Sequence, residues 1–403
     1  MKKQYFLILL AAIIMASVIS CKQSTQYKAL IITGQSNHNW KASSPILKQI
    51  LEETGLFSAE IAITPEEGGD MTTFDPDFSK YKLVVLDYNG DSWSDKTKSG
   101  FVEFVTNGGG VVSYHGSCMA FPDWKEYNRI TGLGGWKDRN EKDGPYVYYA
   151  GNRLISDTTA GPAGSHGAAH DFEVRTRITD HPVTRGLPVR WMHGNDELYQ
   201  QLRGPAENMQ VLATAFADTS FKGTGRNEPV LLALEYGQGR IFNTLLGHAQ
   251  EGGGPAMQCA GFIVTLQRGA EWAATGTVTQ SVPSDFPTAA AVVLRTDFKE
   301  IILEDAFEMI AGYDIQKSTR YYTYIQNQIR TAGGNKEKLL DLEKRMVKVL
   351  TSSEATAESK KLMLRELSWM GSDYCISSIK KLIEVPELKD EAEFALARLN
   401  PLN

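Results

Sequence analysis

Between Tyr27 and about Thr275, short and continuously apolar β-rich runs alternate with stretches of helical period. Nothing else in the chain limits the choice of fold as strongly. Lys28 to Ile32 reads as a buried strand that opens into the polar loop Thr33 to Asn39. An amphipathic helix around Ser43 to Glu53 follows, with Ile46, Ile50 and Leu51 on one side. Strands at Ala59 to Ile63 and Lys82 to Asp87, a helix at Lys96 to Thr106 and a strand at Gly110 to Tyr114 continue the pattern. Strands without polar alternation must be covered on both faces, so the order predicts a parallel sheet between helical layers. Ligands of such sheets sit beyond the carboxyl ends of the strands, which puts the loops after Ile32, Asp87 and Tyr114 on one rim. Later strands are expected at Phe172 to Arg177, Gln210 to Ala217, Pro229 to Tyr236 and Arg240 to Leu245. A helix from about Pro255 to Trp272 closes the unit. Trp124 to Gly167, rich in Gly, Asp and Tyr, reads as a long functional loop.

Both flanks of this unit differ from it. Lys2 and Lys3 precede the apolar run Tyr5 to Val18, which is too short for a comfortable membrane span and has the length of a signal-peptide core. The run ends in Val18-Ile19-Ser20-Cys21, which resembles the lipobox of bacterial lipoproteins. Residues 1–20 are then a signal peptide, Cys21 carries the lipid, and 21–26 form a tether. The mature protein would face the periplasm from a membrane; Lys22, where an aspartate would retain it, points to the outer one. An ordinary signal peptide with an incidental cysteine is the alternative. On the other flank, Gly276 to Thr288 contains Pro283 and Pro287 and reads as a linker reaching about residue 300. Glu337 to Leu350, Ala357 to Trp369, Cys375 to Ile383 and Lys389 to Leu399 then repeat at helical period. They predict a small all-α domain over 301–403, either HEAT-like or a plain helical tail.

The net charge of −6 without a basic stripe argues against nucleic acid as a partner. Cys21, Cys118, Cys259 and Cys375 are far apart and lack CxxC spacing, which argues against a disulfide framework or a thiolate zinc site. Histidine is more informative. His38 lies in the loop after the first strand, His115 where Ser113-Tyr114-His115-Gly116-Ser117 turns from strand to helix, and His248 at a strand end. Carboxyl ends of parallel strands share a rim, so these three can converge. His166 and His170 form the only His-x-x-x-His pair, in a glycine-rich loop; His193 precedes Asp196 and Glu197; His181, beside Pro182, reads as a turn residue. Trp40, Trp93, Trp124, Trp136, Tyr146, Tyr148, Tyr149 and Trp191 could stack on sugar faces, although most such residues are packing anchors.

Several segments resemble the ThuA family, named for trehalose utilisation. They are Gly108 to Gly116, His181 to Pro188, Asp196-Glu197-Leu198-Tyr199, Glu228-Pro229-Val230, Glu235 to Phe242 and Leu246-Gly247-His248, in the family's order. The resemblance spans about Tyr27 to Thr275. It implies an α/β, flavodoxin-like (class I glutamine-amidotransferase-like), mostly parallel sheet, here followed by the all-α domain. Amidotransferases of this fold carry a cysteine nucleophile on the strand-to-helix elbow. Here His115 holds that place and Cys118 lies three residues further on, so glutamine hydrolysis looks lost. His248 matches the fold's usual catalytic histidine, and Glu251 could orient it. The implied role is an enzyme acting on a small carbohydrate, a disaccharide or 3-keto-sugar, by hydrolysis or isomerisation. His115, His248, Glu251, Asp196 and Glu197 are its catalytic candidates; Asn37, His38, Trp40, His170 and His193 are its substrate-binding ones. His38, His115 and His248 could instead hold a divalent metal such as zinc. The competing class is a non-catalytic carbohydrate-binding or scaffold lipoprotein.

Overall fold

Strand β1 (Tyr27–Thr33) is buried from Ala29 to its end because parallel neighbours flank it on both sides, β2 (Phe57–Ile63) and β3 (Leu83–Leu86). β4 (Gly110–Tyr114) pairs in parallel with β3, and β13 (Gly239–Thr244) in parallel with β4. Beyond β13 the direction alternates through β12 (Asn227–Tyr236), β11 (Met209–Phe216), β8 (His170–Thr176) and β9 (Arg190–Asp196), all antiparallel. A hairpin of β5 (Tyr146–Ala150) and β6 (Arg153–Asp157) branches from β12, which completes an 11-stranded mixed sheet. β7 (Ser165–His166) and β10 (Tyr199–Gln200) form a separate two-stranded ladder. The parallel half is the flavodoxin-like part expected, and the antiparallel half extends it.

This computed structural model describes residues 26–299, 301–315 and 319–399; the signal segment, Cys21 and most of the tether lie outside the described residues. The chain divides into two units. The first contains the described chain up to Trp40, Ile50–His248 and Pro255–Leu294; the second contains Lys41–Gln49, Ala249–Gly254 and the chain from Arg295 onward.

Helix α1 (Trp40–Glu52), whose stretch Lys41–Gln49 belongs to the second unit, follows β1 in the chain, and α2 (Asp95–Thr106) and α3 (Lys125–Thr131) of the first unit follow β3 and β4. Ser94 caps α2 by accepting from Thr97 N. The single helix expected from Pro255 is two, α4 (Gly254–Gln258) and α5 (Ala260–Thr275), because Cys259 adopts extended backbone and N-caps the second. One side of the sheet buries Leu30, Ile32, Val84, Leu86 and Val111 with Phe101 and Val105 of α2. Trp93, Phe101, Phe121 and Trp124 interlock there at ring separations of 5.2–6.1 Å. Each large apolar side chain removed from water contributes about 1.5–3 kcal/mol. Trp93, Trp124 and Trp191 are therefore core residues, at 2%, 9% and 0% exposure, and act as packing anchors.

Three expectations need correction. Trp124 to Gly167 is no structureless loop, since it folds into α3, β5, β6 and β7. β9 escaped notice because Arg190, Asn195 and Gly194 dilute its strand signal, although Trp191, His193 and Asp196 are buried. Nor is Gly276 to Leu294 a free linker. Glu271 accepts from Thr279 N at 2.7 Å, Phe286 packs on Trp191 at 5.4 Å, and Ala260 N donates to the Val293 carbonyl at 2.9 Å. The first unit thus runs to Leu294, past the boundary expected at Thr275.

The second unit contains the four helices read from sequence, now α8 (Lys336–Thr351), α9 (Ala357–Met370), α10 (Asp373–Leu382) and α11 (Lys389–Leu399). Two unanticipated ones precede them, α6 (Leu303–Ala311) and α7 (Arg320–Ala332). Met346, Leu350, Met363, Leu364, Leu367 and Ile379 form their common core. Asn335, Thr356 and Ser372 cap α8, α9 and α10 through their side chains.

Candidate active site

β4 ends at Tyr114 and the chain turns at once, with His115 at φ 39° opening a single tight turn. A non-glycine residue held there costs about 1–3 kcal/mol, strain that persists only where the surroundings impose it. Such an elbow lifts one side chain above the carboxyl edge of the sheet. Gly116 must follow, because a Cβ there would stand 2.6 Å from His38 Nδ1 and 3.1 Å from Asn89 Nδ2. His115 is 1% exposed and its Nδ1 lies 2.9 Å from the Leu245 carbonyl oxygen. A carbonyl only accepts, so Nδ1 carries the proton and Nε2 keeps its lone pair. That Nε2 has no hydrogen-bond partner.

The other loops come to this elbow. The chain runs from β1 to edge strand β2 and returns to β3 on the far side of β1, so the loops after β1 and β3 border a topological switch point. Asn89, after β3, donates from Nδ2 to Asn37 Oδ1 at 2.6 Å, to Ser36 Oγ at 3.3 Å and to the Gly116 carbonyl at 3.3 Å. One amide therefore ties three loops together. Ring centroids of His38 and His115 are 4.8 Å apart, those of His38 and His248 5.0 Å, and those of His115 and His248 5.5 Å. Tyr199 stacks on His115 at 4.3 Å, and its hydroxyl meets His38 Nε2 at 3.0 Å. Glu197 Oε2 lies 3.2 Å from His248 Nδ1, an ion-pair contact out of line for a hydrogen bond, and 3.9 Å from His166 Nε2. One ligand atom from each of His38, His115, Glu197 and His248 falls within 4.8 Å of the others. A cleft of about 430 Å³ opens over them, walled by Asn37, Asn89, Trp136, Lys137, His166 and Tyr199.

Asp196, fully buried at the end of β9, holds this arrangement from behind. Its carboxylate accepts from Gly247 N at 2.6 Å, His248 N at 3.0 Å and Glu197 N at 2.7 Å, and lies 2.7 Å from His193 Nε2. Burial opposes its charge, but the bond to His193 and that residue's charge outweigh it and hold Asp196 down at about 2. The walls are built as firmly. Trp136, Lys137 and Asp138 are three successive residues at positive φ, a run anchored by the buried Arg139 guanidinium on the Ala120, Met119 and Gly135 carbonyls.

Charge divides the histidines. Burial, reinforced by the nearby His115 and His248, pushes His38 down to about 3. Burial also pushes His115 down. Burial opposes protonation of His248 too, but Glu197 and Asp196 outweigh it and raise its pKa, while Glu197 is lowered in return. Thiol chemistry is absent from the elbow: Cys118 is buried, which pushes its thiol up to about 12. Ser117 is 1% exposed and bonded to the Tyr114 carbonyl at 2.8 Å and to Ser113 at 3.0 Å, so it offers no nucleophile either.

The structure brings His38, His115, His248, Glu197 and Asn37 to one place and leaves other candidates outside it. The Asp196 carboxylate is fully occupied by three backbone N–H groups and His193, and both side chains are buried behind the rim, so they are positioning residues. His170 stacks flat on Phe221 at 3.8 Å and bonds the Ala168 carbonyl at 2.8 Å, a packing role. Trp40 opens α1, and the aromatic walls of the cleft are Trp136 and Tyr199. The carboxylate on His248 is Glu197; Glu251 is exposed on the turn Gln250–Gly253. His181 is a turn residue whose carbonyl accepts from Thr184 N and Arg185 N. Sequence reasoning missed Asn89, Lys137 and Tyr199 as site residues; it had Trp136 only as one of eight aromatics that could stack on a sugar, and His166 only in the His-x-x-x-His pair. Asn89 and Tyr199 left a signal, the first just after a strand already assigned to the rim and the second two residues past Glu197.

A flavodoxin-like sheet whose elbow presents histidine instead of cysteine defines a class: the amidotransferase-like fold stripped of its thiol. Residues 28–273 match the ThuA family, described as trehalose utilisation, and the chain belongs to that family. A ThuA-like protein of known structure from Parabacteroides merdae is 53% identical, with a TM-score of 0.67 over 68% of this chain and 100% of its own. A second, from Bacteroides uniformis, is 17% identical, with a TM-score of 0.42 over 63% of this chain and 93% of its own. No curated protein matches the chain.

Proposed function

We propose that this protein is an enzyme of carbohydrate metabolism that hydrolyses or isomerises a disaccharide or its 3-keto derivative at the histidine rim. The observation that carries the proposal is the meeting of His38, His115, His248 and Glu197 under a cleft of about 430 Å³. That volume lies within the range of small-ligand sites. A keto-sugar makes modest demands, because the C–H bonds beside its carbonyl are already acidic. Isomerisation, or loss of the glycosidic substituent, needs the carbonyl oxygen polarised and one proton moved. Imidazoles and a carboxylate shielded from bulk water suit both tasks. Trp136 offers a sugar face a flat wall, and Asn37, Lys137 and His166 can grip hydroxyls. The reading includes a lipid on Cys21 that tethers the enzyme to a membrane facing the periplasm, and no nucleic-acid partner. Cys21→Ser should then abolish partitioning into the detergent phase.

The test is incubation of the protein with trehalose and with its 3-keto derivative, followed by proton NMR. Conversion of at least one is expected. Saturable binding of both without conversion would leave a binding module and end the enzymatic reading.

A further inference from the structure

His38 Nδ1 and His115 Nε2 are buried without a hydrogen-bond partner, His248 Nδ1 faces only the Glu197 carboxylate at 3.2 Å, and all three nitrogens belong to one cluster with Glu197. An unsatisfied buried polar atom costs about 1–3 kcal/mol. Two in one place, beside an imidazole and a carboxylate already in contact, point to a common ligand that satisfies them together. We propose that His38, His115, His248 and Glu197 bind a single divalent transition-metal ion of the zinc type. The inference deepens the proposed function, since it concerns the same site, but it does not depend on the sugar.

Geometry supports it first. The four ligand atoms lie within 4.8 Å of one another. Donors of a tetrahedral ion with bonds near 2.1 Å are roughly 3.4 Å apart, so closure requires movement of about an ångström. The donor set comes second. Three imidazole nitrogens with one carboxylate oxygen suit zinc and its first-row neighbours, whereas magnesium and calcium prefer all-oxygen shells. The outer partners come third. Metal-binding histidines characteristically donate their second ring N–H to a carbonyl or hydroxyl, which fixes the lone pair on the ligating atom. His115 Nδ1–H does so to the Leu245 carbonyl at 2.9 Å, and His38 Nε2 meets the Tyr199 hydroxyl at 3.0 Å. The backbones of Glu197 and His248 are both fixed by the buried Asp196. A bound ion would polarise a sugar oxygen entering the cleft. His166 and Lys137, outside the donor set, would remain to carry protons.

The experiment uses the full, untagged chain, stripped with chelator and titrated with zinc chloride by calorimetry, with metal content read after desalting. One zinc per chain is expected, together with a higher melting temperature in zinc than in chelator. Glu197→Gln is isosteric at a side chain that is 21% exposed, so it should fold; it and His38→Ala should each weaken zinc at least tenfold and lose the thermal shift. His181→Gln, remote from the cluster, should bind like the wild type. Absence of stoichiometric zinc, or undiminished zinc in both Glu197→Gln and His38→Ala, would overturn the proposal. Zinc bound through these residues by a protein that converts no sugar would uphold the metal and sink the enzymatic reading. Conversion by a chain that takes up no zinc would do the reverse.

Discussion

Among the described residues, all nine non-glycine positions with positive φ lie in the α/β unit, as do all seven histidines; from Arg295 onward, only Gly333 and Gly334 adopt positive φ. The two regions also differ in how they treat buried ionisable groups, although Ser359 Oγ lacks a partner in the helical region. In the helical region, Glu343 accepts from Ser372 N and Oγ at 2.7 Å each and from Cys375 N at 3.2 Å. Glu366 takes Tyr322, Gln326 and Trp369 as donors. At the rim, imidazole nitrogens of equal burial have no partner, and the backbone is bent to hold them there. Folding alone gives no reason to strain an elbow and leave nitrogens unsatisfied beside it. Strain and unpartnered imidazoles concentrate at one rim, which is where the chain is built to meet something else.

The comparison can be broken at several points. Asp196→Ala should have the largest effect on stability, because it leaves His193 buried without its carboxylate and frees the Gly247 and His248 amides. A loss of about 3–5 kcal/mol in urea unfolding is expected; wild-type stability would mean the rim is not held from behind. Gly116→Ala should act on function more than on folding. Its Cβ would displace His38, and a fall of about 100-fold in kcat/KM is expected from misplacement of that size. An unchanged rate would show that the His38–His115 spacing does not matter.

His181 sharpens the comparison through pH. Burial lowers it to about 4, and its neutral Nδ1 accepts from Val183 N at 3.2 Å while the ring packs on Trp272 at 4.7 Å. A histidine depressed in the folded state contributes stability that is complete above its unfolded pKa near 6.5. That stability is lost as pH falls toward 4. With allowance for partial exposure, its share of the loss at pH 5 is about 1–2 kcal/mol, and His181→Gln should remove that share from the acid side of a stability–pH curve. Thr356→Ala should have the smallest effect. It deletes the cap on α9, for a cost of about 1 kcal/mol in unfolding and no change in turnover.

The parallel half of the fold was legible because its strands are short apolar runs with no alternation, and β4 was placed from Gly110 to Tyr114 without error. The histidine rim was legible for the same reason, since strand ends in such a sheet share one edge. β9 was not, because a half-buried strand that ends in His193-Gly194-Asn195-Asp196 imitates a loop. That gap hid the function of Asp196, whose charge looks catalytic in sequence and is sealed behind the site in space. Lys137 was illegible, and Trp136 could not be told from the other aromatics, because only the αL run anchored by Arg139 brings them to the cleft, and residue type does not encode such a run.

The central claim of the proposed function is that chemistry at the elbow depends on the His115 imidazole and not on the Cys118 thiol. Its most direct test is kcat/KM on a 3-keto disaccharide for the wild type, Cys118→Ala and His115→Ala, with circular dichroism to show that each is folded. Cys118→Ala is expected to stay within about twofold of the wild type, and His115→Ala to fall by roughly 10²–10⁴. Loss of activity in Cys118→Ala with activity retained in His115→Ala would contradict it.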